Sequence, residues 1–110
     1  MSQIKHSPVA RFPGHVTIPD YLNFPQLKAF RDAMTAAKEL GKDASLIEYH
    51  HACLPGVLPI IEQWNMDTLA QPVTADTFPV TPFKASQQLA SWLIGLAIEL
   101  TKDAEEIPNA

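Results

Sequence analysis

The stretch Thr81-Pro82-Phe83-Lys84-Ala85-Ser86-Gln87-Gln88-Leu89-Ala90-Ser91-Trp92-Leu93-Ile94-Gly95-Leu96-Ala97-Ile98-Glu99-Leu100-Thr101-Lys102 decides the fold. Thr81 is a good N-cap and Pro82 suits the first helical position, where its missing N–H leaves no bond unmade. A helix is therefore expected from there to about Glu105, ahead of Pro108. Leu89, Trp92, Leu93, Leu96 and Leu100 form one face. At about 100° per residue, Ile94 and Ile98 point almost the opposite way, with Ala90 and Ala97 between the two groups. Only a narrow stripe of Lys84, Gln88, Ser91, Gly95, Glu99 and Lys102 stays polar.

A helix that is apolar over most of its circumference has to be buried over most of it. Covering Ile94 and Ile98 stabilises by roughly 1.5 to 3 kcal/mol each, so the second face is expected to carry a partner interface built from Ile94, Ala97 and Ile98. The alternative is internal: the connection from Asn65 to Thr81, with Pro72, Pro79 and several threonines, folds back and supplies Leu69, Val73 and Phe78. So long a connection in a small domain either packs on the body or has a function.

Working back toward the N-terminus, Val57 to Trp64 reads equally as a short helix with Pro59 in its first turn or as a buried strand. Trp64, at the mouth of the connection, is a candidate partner anchor, because tryptophans concentrate at interface centres as well as in cores. Ser45 and Glu48 form a capping-box pattern that opens a helix running to the break at Pro55-Gly56. Asn23 and Gln26, with Pro25 between them, open another that closes at Leu40-Gly41. Its apolar stripe of Phe24, Leu27, Phe30, Met34, Ala37 and Leu40 covers a core. Before Asn23, Pro8, Pro13 and Pro19 exclude a long helix, and only His15-Val16-Thr17-Ile18 alternates as a strand does. The expected fold is mainly α: one domain over 1–110, with an extended segment 1–23, a helical body of about three helices over 24–105, a long Pro/Thr-rich connection, and a tail 106–110.

With 110 residues, the chain can enclose one modest core. Hydrophobic residues make up 46% of it and charged residues 18%, the reverse of a disordered composition. A surface so poor in charge leaves apolar area to be covered, which favours association. The net charge of −4 and the scattered Lys and Arg residues exclude a nucleic-acid or anionic-membrane surface. No stretch approaches the roughly 20 apolar residues of a membrane span. A single cysteine, Cys53, and an opening without an apolar export region suggest a cytoplasmic protein.

Chemistry-bearing residues are sparse. His50, His51 and Cys53 are of the types that bind zinc or build a Cys-His nucleophile pair. Adjacent histidines on a helix diverge by about 100°, however, and only Cys53 falls with His50. No metal, cofactor or catalytic residue is expected anywhere in the chain, because this cluster cannot complete a site locally and His6 and His15 would have to be supplied by the N-terminal segment. Asp103, Glu105 and Glu106 gather at a helix C-terminus and read as a solvated tail. Glycine appears in no phosphate loop or nucleophile elbow. The expected class is a non-enzymatic protein-binding protein.

Trp64-Asn65 follows Leu58-Pro59-Ile60-Ile61-Glu62-Gln63 and precedes an acidic turn, a Pro-Val-Thr segment and a terminal helix. Phe12-Pro13-Gly14-His15-Val16-Thr17-Ile18-Pro19-Asp20 stands before an amphipathic helix. In this order of segments, which spans most of the chain, the sequence resembles tail assembly chaperones of long-tailed bacteriophages. The resemblance implies a cytoplasmic helical protein without catalytic activity that coats the tape measure protein during tail assembly and can self-associate. A small phage-type inhibitor or regulator of a host protein is the alternative, and would need an acidic patch such as residues 103–106. A structural subunit retained in the virion is a further alternative with the same interface chemistry.

Overall fold

Val16 and Ile18 alternate with His15, Thr17 and Pro19, and that alternation places the first two in the core, 0% and 2% exposed. They lie on the middle strand of a sheet. In the computed structural model, which describes residues 2–106 and side chains through residue 102, the elements follow the order β1 (Ser2–His6), β2 (His15–Pro19), α1 (Phe24–Glu39), α2 (Leu46–Val57), a 3-10 turn (Leu58–Ile60), β3 (Gln63–Asn65) and α3 (Phe83–Glu106). The sheet is antiparallel with strand order β1-β2-β3. Gln3 faces Ile18, Lys5 faces Val16 and His6 faces His15 across one edge of β2; Val16 faces Trp64 and His15 faces Asn65 across the other.

The expected mainly α domain is thus corrected to a small α+β domain, with three α-helices and a three-stranded antiparallel sheet among the described residues. The strand expected at His15 to Ile18 has two partners within the chain. One, β1, is drawn from the polar pentapeptide Ser2-Gln3-Ile4-Lys5-His6, and the other is the end of the ambiguous 57–64 segment, which divides into a 3-10 turn and a strand.

The helix starts follow local chemistry. Asn23 Oδ1 accepts from Gln26 N–H at 2.9 Å while Gln26 Oε1 accepts from Asn23 N–H at 2.9 Å, and Ser45 with Glu48 forms the same reciprocal box at the start of α2. Helix α2 does not stop at Pro55-Gly56 as expected but continues to Val57. Pro55 lies in the last turn, so a single backbone bond is lost there. At Gly56 a Cβ would lie 2.7 Å from the Phe30 Cα and from the Ala33 Cβ, so α1 and α2 cross almost backbone to backbone. Helix α3 begins one residue later than expected: Ser86 N–H bonds to the Pro82 carbonyl at 2.9 Å, so Pro82 and not Thr81 occupies the cap.

The connecting segments are part of the core. Val9 and Phe12 from the β1–β2 loop, and Met66, Leu69 and Phe78 from the connection after β3, are each no more than 8% exposed and join Leu89, Leu93, Ile94 and Leu100 of α3 in one apolar cluster. The connection is held by its own threonines. Thr77 N–H donates to Thr74 Oγ1 at 3.1 Å, Thr74 N–H donates to Thr77 Oγ1 at 2.8 Å, and Thr77 Oγ1 donates to the Pro72 carbonyl at 2.9 Å. That turn swings Phe78 inward. The tail beyond residue 106 lies outside the described residues, as do the side chains of Asp103, Glu105 and Glu106.

Candidate protein-binding cleft

Three segments meet around a shallow, open apolar cleft. Helix α2 contributes Ile47, His50, His51 and Leu54; the connection contributes Phe78, Pro79 and Val80; α3 contributes Phe83, Ser86 and Ala90. Leu54, Phe78 and Ala90 are buried, whereas Ile47, Val80 and Phe83 are 42%, 52% and 50% exposed. Large apolar side chains left half in water around a concavity are a recognised mark of a binding surface. The Thr74–Thr77 turn orients the connection and the Ser86 hydroxyl donates to the Pro79 carbonyl, so one wall is tied to α3.

The polar groups beside this cleft are quiet. His50 is buried, with its Nε2 3.4 Å from the Ser91 hydroxyl, and burial lowers its pKa so that the neutral imidazole is favoured. Cys53 is fully buried with its Sγ 3.7 Å from the Met34 sulfur, and burial raises its pKa. Tyr49 is raised as well, by burial first and by neighbouring Cys53 second. The thiol stays protonated, and a protonated thiol is a poor nucleophile. The hydroxyl of Ser91, not the Cys53 thiol, is what His50 faces, and no buried side-chain polar atom among the described residues lacks a partner. Nor do the described residues bring three or more His, Cys, Asp or Glu side chains together as a metal site.

The residues singled out as a partner surface lie elsewhere. Ile94 is 7% exposed and Ala97 1%, both inside the core, while Ile98 and Trp64 are half-buried against it. The side of α3 that remains partly open carries Ser91, Trp92, Gly95 and Leu96 instead. Helix periodicity identifies both apolar faces but not which face the connections enclose. Ile47, Val80 and Phe83 escape sequence reasoning because they belong to three different segments. The one local signal was the unexplained length of the 65–81 connection.

No family model, curated protein or solved structure matches this chain. No helix among the described residues is long and apolar enough to cross a membrane.

Proposed function

We propose that this chain is a non-enzymatic protein-binding domain that takes apolar side chains of a helical client into the cleft between α2, the connection and the start of α3. The observation that carries this reading is the half-exposed rim of Ile47, Val80 and Phe83 around a buried apolar floor. An open, shallow apolar cleft of this kind suits one or two anchoring side chains of an amphipathic helix. The order of segments that resembles a tail assembly chaperone supports a tape measure protein as that client. The low charge of the chain supports a client held by apolar contact more than by ion pairs.

The test is co-purification of the chain with a tape measure protein expressed beside it, repeated with the double variant Val80→Glu, Phe83→Glu. The expected result is a complex with the parent chain and none with a variant of unchanged circular dichroism. Equal recovery of the client by both chains overturns the reading.

A further inference from the structure

The strand β1, invisible to sequence periodicity, brings together two histidines that lie nine residues apart in the sequence. His6 and His15 are directly opposed across β1 and β2, their ring centroids 5.5 Å apart and their planes inclined by 59°. The bond from Ser7 N–H to the Gly14 carbonyl, 2.9 Å, closes the ladder beside them. In this register that bond makes the His6–His15 pair a non-hydrogen-bonded one, the position at which cross-strand side chains approach most closely. His6 is exposed and His15 half-buried, so both rings are open to solvent.

That spacing fits two imidazoles sharing one ion. With a metal about 2.1 Å from one nitrogen of each ring, and each centroid about 1.2 Å further along the bond, a tetrahedral angle separates the centroids by roughly 5.4 Å. Imidazole is a ligand for zinc and its borderline neighbours. Asn65 opposes His15 from β3, so an amide side chain belongs to the next position of the same row on the same face of the sheet. The chain's net charge of −4 favours a cation near the surface. We propose that His6 and His15 form a surface site for one divalent zinc-class ion that clasps β1 to β2, with water completing the coordination.

Titration of zinc chloride into the full chain, in a non-chelating buffer at neutral pH and followed by calorimetry and imidazole NMR, tests this. Saturable binding of one ion per chain is expected, with the His6 and His15 ring signals shifting together. His6→Ala and His15→Ala should each weaken binding by at least the roughly tenfold that loss of an outer-shell partner costs, while His51→Ala binds as the parent does. Absence of saturable binding, single variants that bind like the parent, or loss of binding in His51→Ala overturns the proposal. If either variant fails to fold, the ring signals of the unaltered chain decide, because a site elsewhere leaves His6 and His15 unmoved.

Discussion

Gly14 lies directly against the carbonyl of Asn65: its φ is 123°, and a Cβ built on it would overlap the Asn65 oxygen and come within 3.1 Å of the Met66 Cα. The end of the β1–β2 loop and the end of β3 therefore meet through a position that has no room for a side chain. Gly14→Ala is expected to destabilise by about 2 to 4 kcal/mol, the sum of a left-handed penalty and displacement of β3. Gly41, at φ 81°, has nothing within 4 Å of its Cβ position. Gly41→Ala should incur only the roughly 1 to 2 kcal/mol conformational penalty. Urea unfolding of the two variants distinguishes a steric role from a purely conformational one, and similar losses at both positions would remove the argument for close approach.

Two helical glycines should respond with opposite signs. At Gly56 a Cβ would stand 2.7 Å from the Phe30 Cα and 2.8 Å from the Ala29 carbonyl oxygen, both backbone atoms of α1, whereas at Gly95 it would meet nothing within 4 Å. Gly56→Ala is expected to destabilise by about 1 to 3 kcal/mol through overpacking. Gly95→Ala should stabilise by roughly 0.5 to 1 kcal/mol, because alanine restricts the unfolded chain and favours helix. Thermal melts of both variants check the pair.

What the sequence reveals is the local chemistry. Both reciprocal caps follow from residue types three apart, and the helices follow from their stripes. The sheet is hidden because its outer strands carry almost no pattern: β1 is polar at four of five positions, and β3 is three residues long. Their pairing depends on contacts between residues 2–6, 15–19 and 63–65, which no window along the chain contains. The cleft is hidden for the same reason, since Ile47, Val80 and Phe83 are isolated apolar residues until the connection is folded. Ile94 was visible as part of a second face, but periodicity does not tell a client from the chain's own loops.

Acid should weaken the fold partly through His50. Burial lowers its pKa below the usual 6.5, so the unfolded chain takes up a proton at a pH where the native imidazole does not. The contribution is fully present above the unfolded value and is lost as pH falls through 6.5 toward the native value. His50→Gln keeps a polar group beside Ser91 but cannot titrate. Urea titrations between neutral and mildly acidic pH should show a shallower loss of stability in this variant than in the parent. Parallel slopes would mean that His50 is protonated as readily in the native protein as in the unfolded chain.

The core and the cleft rim can be separated by the same substitution at different places. Ile94 is 7% exposed, and Ile98 packs half-buried against the same cluster, so the double variant Ile94→Gln, Ile98→Gln forces amide groups into an apolar interior whose shape is set by the connecting segments. A buried amide without a partner costs about 1 to 3 kcal/mol, to which the lost apolar packing adds. The double variant should therefore unfold several kcal/mol below the parent even as a dilute monomer. Val80 and Phe83 are 52% and 50% exposed, and Val80→Gln, Phe83→Gln is expected to stay within about 1 kcal/mol of the parent while weakening capture of a client. Denaturation in dilute solution measures the first effect and co-purification the second. If the Ile94, Ile98 variant instead keeps the parent's stability and loses only association, the second face of α3 is an interface after all, and the cleft at its N-terminal end is not where the partner binds.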